Sequence, residues 1–224
     1  MGTTLERELE ALTQALVAMA GEVERQLDLA IRSLVRRDSA VAETAIAGDQ
    51  AIDRREMEMD HLALELIVRQ RPLASDLRLV MAIIKLSPDL ERVADHAVNI
   101  ARQALILNSV PPLKPFATIP RMAEIATGMV RDAINAFVRH DSGLARAVIE
   151  RDAELDALHE SVFRELLTYM MADPTTIPRA LALLLVSRSL ERVGDQGTNM
   201  GEQVVFLVEG ADIRHRQGPS EHAG

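Results

Sequence analysis

The chain has 224 residues, of which 48% are hydrophobic, so it is long and apolar enough to bury an aliphatic core of one or two domains. With 2% aromatic residues, no Cys and a net charge of -9, it lacks aromatic stacking platforms, disulfides and thiolate metal sites, and it is not expected to bind nucleic acid. The lack of Cys and of an apolar N-terminal signal core predicts a cytoplasmic protein.

Three long helices are predicted in the first half from the helical spacing of apolar residues. They run from about Thr4 to Arg36, from Ser39 to Arg71 and from Asp76 to Leu107. Asp38 or Ser39 is suited to cap the second helix. Pro88 falls inside the third helix, where it removes a backbone hydrogen bond and can kink the helix.

Prolines in Leu107–Pro115 mark a boundary, after which the same plan returns. The second set of helices is predicted at about Pro120–Arg139, Ser142–Met171 and Ile177–Glu209, with Thr176 as a cap. Because short connections join long helices, we predict an all-α fold made of two antiparallel three-helix bundles, six long helices in total. The expected divisions are a first bundle at 1–108, a linker at 109–118, a second bundle at 119–209 and a flexible tail at 210–224.

Acidic motifs reveal the two halves as a tandem duplication. Asp38, Asp49 and Asp53 return as Asp141, Asp152 and Asp156, and Glu91, Arg92, Asp95 and Asn99 return as Glu191, Arg192, Asp195 and Asn199. The first set is displaced by 103 residues and the second by 100, so the second half has a slightly shorter connection.

Each half carries a D-x-x-x-D pair on its second helix and an E-x-x-x-D pair on its third. Residues four apart share a helix face, where like charges repel by roughly 0.2–0.5 kcal/mol. One metal site is predicted from Asp49, Asp53, Glu91 and Asp95, and another from Asp152, Asp156, Glu191 and Asp195. Asn99, Asn199 and His159 are candidate supporting residues. Such oxygen ligands suit Mg²⁺, Mn²⁺, Ca²⁺ or iron, with Zn²⁺ also possible in a site without cysteine.

Other interpretations of these residues stay open. Arg92, Arg188 and Arg192 each lie three residues before an acid, so ordinary helix-surface ion pairs would explain part of the pattern. Glu58-x-x-His61 matches the E-x-x-H unit of di-iron carboxylate bundles, which would indicate an oxidase or a ferritin-like storage protein. A third interpretation is a metal-free helical adaptor whose acidic surfaces contact basic partners.

The segments LERVADHAVNI (Leu90–Ile100) and LERVGDQGTNM (Leu190–Met200), with the doubled three-helix plan, resemble the PhoU family of phosphate-signalling regulators. The resemblance runs from about Leu5 to Val208. It implies metal clusters on the E(D)-x-x-x-D motifs and a cytoplasmic, homodimeric scaffold that reaches the membrane only through its partners. The implied partners are the phosphate-specific ABC transporter, whose uptake it restrains, and the phosphate-sensing histidine kinase, which it holds in the repressing state. No P-loop, G-x-G-x-x-G motif or nucleophile elbow suggests an enzyme.

Overall fold

A computed structural model describes residues 3–113 and 117–213, and within these ranges every regular element is helical. The helices are α1 (Thr4–Arg36), α2 (Ser39–Ala47), α3 (Asp49–Gln70), α4 (Ala74–Asn108), α5 (Thr118–Arg139), α6 (Ser142–Glu150), α7 (Asp152–Ala172) and α8 (Ile177–Glu209), with a 3₁₀ turn at Pro174–Thr176. The predicted first and last helices have the observed bounds.

The second predicted helix of each half is interrupted, so each forms a rod of two consecutive helices. We predicted one continuous helix after Asp38, but the rod is divided between α2 and α3 at Gly48, and its counterpart is divided between α6 and α7 at Arg151. Counting each interrupted pair as one rod, the six-helix plan is confirmed. Each rod starts from an aspartate cap: Asp38 accepts from the backbone N–H groups of Ala40 and Val41, and Asp141 accepts from that of Leu144.

Side-chain pairs give the directions of the helices in the first half. Arg55 on α3 forms an ion pair with Glu22 on α1 (Nε to Oε2, 2.5 Å), and Arg69 lies 3.5 Å from Glu8. As the residue number rises on α3 it falls on α1, so these two helices are antiparallel. The turn after α1 lies beside the C-terminal end of α4, where Arg37 donates to the carbonyls of Leu107 and Asn108. The C-terminal ends of α1 and α4 are therefore neighbours, and these two helices run parallel. This is the predicted antiparallel three-helix arrangement.

The two bundles meet along α4 and α8, which form the centre of the molecule. Lys85 lies 5.6 Å from the ring centroid of Phe206, and His96 lies within electrostatic range of Arg192. The central helices are therefore antiparallel. A second contact joins α1 and α5, where Arg131 Nε is 3.1 Å from Glu24 Oε2. Buried aliphatic residues of both halves belong to one continuous core.

Several local predictions have different outcomes. Pro88 lies inside α4, which continues through it. Thr176 does not cap α8 with its side chain, because its hydroxyl donates to the carbonyls of Tyr169 and Asp173. Part of the linker, at 114–116, and most of the predicted flexible tail, at 214–224, lie outside the described residues. Nowhere in 3–113 or 117–213 is a helix both long and apolar enough to span a bilayer.

Candidate metal-binding faces

The first acidic face consists of Asp49, Asp53 and Glu56 on α3 and of Glu91 and Asp95 on α4. Burial raises the pKa of Asp49, and the charges of Asp53 and Asp95 raise it further. Burial likewise raises the pKa of Glu91, with added contributions from Asp95, Asp53 and Glu56. Because these repulsions act between α3 and α4, the two predicted acidic pairs of the first half share one surface.

The second acidic face consists of Asp152, Asp156 and His159 on α7 and of Glu191 and Asp195 on α8. Burial, followed by the charges of Asp156 and Asp195, raises the pKa of Asp152 to about 6 from its ordinary 3.8. Burial and Asp195 also raise the pKa of Glu191. The duplicated sequence therefore brings its second set of acidic pairs together as well.

Asp152 is held close to α8 by the absence of a side chain at Gly194. A Cβ atom at this position would lie 3.6 Å from Asp152 Oδ1 and would overlap Leu155 Cδ2. Thr198 lies near enough to favour the charged form of Asp152, yet Asp152 Oδ1 is buried with no hydrogen-bond partner among the described residues. A buried acceptor without a donor costs about 1–3 kcal/mol. A cation would satisfy this oxygen, so the donor set fits a metal.

Arginine compensates the second acidic face more than the first. Arg192 lies 2.8 Å from Asp195 (Nη1 to Oδ2) and 3.5 Å from Glu191 (Nε to Oε2). Arg92 instead donates to Asp89 Oδ1 at 3.2 Å. Within residues 3–113 and 117–213, the carboxylates of the first acidic face form no ion pair with arginine or lysine. The interpretation as ordinary surface ion pairs therefore explains Arg192. It does not explain the first acidic face, where Gln26 and Arg102 offset only part of the rise in the pKa of Asp49.

The carboxylates of each face are near enough to repel one another, but they do not already surround a single point. In the part of the chain that the structure describes, no three His, Asp or Glu side chains are arranged to hold one ion. Carboxylates on helices that are fixed by a common core can turn toward an ion by rotating about their side-chain bonds. Metal ligation by these residues stays a prediction.

Comparison with known proteins places the chain in a family. The PhoU domain matches residues 16–104 and again residues 119–204. The chain belongs to the PhoU family. It is 39% identical over 209 residues to a protein of Pseudomonas putida called a phosphate-specific transport system accessory protein PhoU homolog, covering 93% of this chain and 82% of the relative. A relative of the same name from Aquifex aeolicus is also 39% identical, covering 94% of this chain and 95% of the relative.

Solved PhoU structures confirm the fold. The crystal structure of PhoU from Pseudomonas aeruginosa superposes with a TM-score of 0.90 at 36% identity, covering 93% of this chain and all of that one. The phosphate transport system regulatory protein PhoU from Streptococcus pneumoniae gives a TM-score of 0.86 at 26% identity, covering 94% of this chain and 99% of that one. The all-helical PhoU architecture predicted from the repeated motif is therefore correct.

The histidines of this PhoU chain take different positions. His159 lies on the second acidic face, and its Nδ1 is 3.0 Å from the Ser187 hydroxyl. Burial lowers the pKa of His159, which favours the neutral ring that ligates metals. His61 has 74% of its side chain exposed and pairs with Glu65 at 3.3 Å. The E-x-x-H unit therefore lies on the outside of the PhoU bundle.

The asparagine of the repeated PhoU element lies to one side of the carboxylates. Asn99 lines a groove between α4 and α8, and Asn199 donates weakly to Gln196 Oε1 at 3.5 Å. Each step of four residues turns about 40° around a helix, so a residue eight positions after Glu91 is displaced by about 80°. Equal spacing in the sequence therefore does not keep Asn99 on the acidic face.

Sequence reasoning missed one member of the first acidic face. Burial, then Asp60 and Asp53, raises the pKa of Glu56, and Glu56 in turn acts on Glu91. The same displacement of 103 residues that relates Asp53 to Asp156 relates Glu56 to His159. His159 was a candidate ligand from the sequence. Looking for the residue equivalent to each candidate in the other half would therefore have found Glu56.

Proposed function

We propose that this PhoU-family chain is a non-enzymatic, cytoplasmic regulator of a phosphate-specific transport system. Relatives that share 39% identity over more than nine-tenths of the chain are called accessory proteins of such systems, which supports this role. The proposed action is negative. When phosphate is plentiful, a homodimer of the chain restrains the ABC transporter and holds the phosphate-sensing histidine kinase in its repressing state.

The mutual repulsion within the two acidic faces is the observation that carries this proposal. Burial, and after it the charges of Asp156 and Asp195, raises the pKa of Asp152 to about 6, and a bound cation would offset both effects. Asp49, Asp53, Glu91 and Asp95 would hold cations on one face, and Asp152, Asp156, Glu191 and Asp195 on the other, with His159 and Glu56 beside them. Bound Mg²⁺, Mn²⁺, Ca²⁺, Zn²⁺ or iron would neutralise each face and offer open coordination positions to a partner.

The di-iron alternative fits the side chains less well. A di-iron carboxylate bundle directs two E-x-x-H units and two further glutamates into its interior. Here Glu58 and His61 are both exposed, and His61 pairs with Glu65 instead. The duplicated residues are the E-x-x-x-D pairs, which lie on the surface between neighbouring helices. This placement favours presentation of metal to a partner.

Replacing Glu91 and Asp95 by Ala together is expected to lower the metal content of the chain to about half. The double substitution removes two ligands of the first acidic face and leaves the second unchanged. Elemental analysis of protein loaded with Mn²⁺ and dialysed measures the effect, with helical circular dichroism as the check on folding. Glu58→Ala with Glu65→Ala is the matched control, because it removes the same number of acids from the first half at positions outside the acidic face. Equal metal content in the two double variants would contradict the assignment.

The function itself is tested by retention of the full chain on immobilised partners. The baits are the transporter's ATPase–membrane complex and the cytoplasmic part of the histidine kinase, each probed with metal-loaded and chelator-treated protein. We expect retention that the chelator weakens at least tenfold. Retention that the chelator leaves unchanged would support the metal-free adaptor, and failure to bind either bait under both conditions would overturn the proposed regulator.

A further inference from the structure

The junction of the two bundles contains an open groove that the acidic faces do not use. It has a volume of about 460 Å³ and lies between α4 and α8. The polar side chains that line it are His96, Asn99 and Gln103 from α4 and Arg188, Ser189 and Arg192 from α8. These residues offer two guanidinium groups, a hydroxyl, two amides and an imidazole. No carboxylate lines the groove within the described residues.

Hydrogen-bond donors in the groove lack partners. Arg188 is in electrostatic range of Glu191 but forms no hydrogen bond or ion pair among residues 3–113 and 117–213. Ser189 as a whole residue is only 8% exposed, and in the same described ranges its hydroxyl has no hydrogen-bond partner. The guanidinium of Arg192 is already engaged outside the groove, because it pairs with Asp195 at 2.8 Å and with Glu191 at 3.5 Å. Arg188 and Ser189 therefore form a cationic end of the groove in which, among the described residues, neither side chain has a hydrogen-bond or ion-pair partner.

The duplication supplies an internal comparison. A displacement of 100 residues relates Arg188 to Pro88 and Ser189 to Asp89. On that side of the α4–α8 junction, the Asp89 side chain is only 9% exposed and accepts a hydrogen bond from Arg92 at 3.2 Å. One copy thus carries its own carboxylate, whereas the other has a hydroxyl at the same position and an additional arginine beside it.

We propose that the groove binds a small oxyanion of the phosphate class at Arg188 and Ser189, with Asn99 and Gln103 as further donors. The oxyanion takes the place that the Asp89 carboxylate occupies in the other copy. Guanidinium groups bind such anions with two parallel N–H···O bonds, and a hydroxyl adds a third donor. The proposal does not depend on metal binding or on the regulatory partners, so it is tested on the metal-free chain alone.

The test is calorimetric titration of inorganic phosphate into the full chain, after a chelator has removed metals and has itself been dialysed away. Because the groove is open and the chain is acidic, we expect a Kd of about 0.1–1 mM. Arg188→Gln is expected to weaken binding at least tenfold. Ser189→Asp should do the same, since it recreates the built-in carboxylate of the other copy. Arg92→Gln, on the Asp89 side, should leave the Kd within twofold.

Circular dichroism confirms that each variant is folded, and the exposed Arg188 provides a test even if Ser189→Asp is unstable. Competition by sulfate would support a general oxyanion site, and resistance to sulfate would support a phosphate-selective one. Absence of measurable phosphate binding by the metal-free chain would overturn the proposal. Equal Kd values for Arg188→Gln and the parent chain would also overturn it.

Discussion

Asp152→Asn is expected to stabilise the metal-free protein and to weaken its response to metal. Above pH 7 the Asp152 carboxylate is charged, partly buried and close to Asp156 and Asp195. Removing its charge relieves the cost of burying a carboxylate and, after it, that repulsion, which together we put at about 1 kcal/mol after allowing for solvent screening of a partly exposed group. For a chain of this size the change raises Tm by roughly 2–4 °C. Differential scanning calorimetry of chelated protein at pH 8 measures it.

The effect of this substitution depends on pH in a defined direction. The pKa of Asp152 rises from 3.8 to about 6 on folding, so its contribution to stability is fully present below pH 3.8 and is lost as the pH rises through 6. The metal-free parent and Asp152→Asn should therefore have similar Tm values near pH 4 and differ most above pH 7. With saturating Mn²⁺ at pH 8 the order reverses, because only the parent offers the full carboxylate set.

Asp89→Asn is the matched control for the metal response. Burial raises the pKa of Asp89 to about 6 as well, but Asp89 pairs with Arg92 at the α4–α8 junction and lies outside both acidic faces. Its neutral variant should have a Tm that is less sensitive to pH between 4 and 8 and a normal response to Mn²⁺. If Mn²⁺ stabilises Asp152→Asn as much as the parent, Asp152 is not a ligand.

The long helices were predictable because their signals are local. Thr3 and Glu6 form a capping box, and α1 ends with Arg37 in the left-handed region at φ 55°, just before the aspartate that caps α2. The interruptions were not predictable in this way. At Gly48 and Arg151 the backbone stays in the right-handed helical region, and neither residue blocks a helix by itself. Glycine has a low helix propensity but arginine does not, so no local signal common to both positions predicts the two interruptions.

The sequence predicted most residues of the acidic faces, but it did not predict how deeply each carboxylate is buried. Repetition of the motif indicated that α3 with α4 and α7 with α8 would share carboxylate surfaces. That Asp152 has the largest pKa shift within the two acidic faces depends on Gly194, which allows α7 to approach α8. The position equivalent to Gly194 in the first half is Ala94, and the resulting difference between the two faces becomes visible only in the packed structure. The groove at Arg188 likewise required the pairing of α4 with α8.

The second half packs its central helix through glycine where the first half uses alanine. Gly194, Gly197 and Gly201 on α8 correspond to Ala94, Ala97 and Ala101 on α4. A Cβ atom at Gly201 would lie 2.9 Å from the carbonyl oxygen of Ala145 and 3.1 Å from Ile149 Cγ1. The carbonyl belongs to the backbone of α6, so it can move away only if the whole helix shifts. Gly201 therefore sets the distance between α8 and α6.

Gly201→Leu is consequently expected to destabilise the protein by about 3 kcal/mol, since overpacking forces α6 and α8 apart. The corresponding fall in Tm is roughly 6–12 °C, and urea unfolding gives the free energy of unfolding directly. Gly201→Ala should destabilise the protein by about 1 kcal/mol despite the better helix propensity of Ala.

Gly21→Ala on α1 is the control, because no atom lies within 4 Å of its Cβ position. There the same substitution should stabilise by about 0.5–1 kcal/mol. If Gly201→Ala stabilised the protein as much as Gly21→Ala, the close approach of α6 to α8 would be wrong.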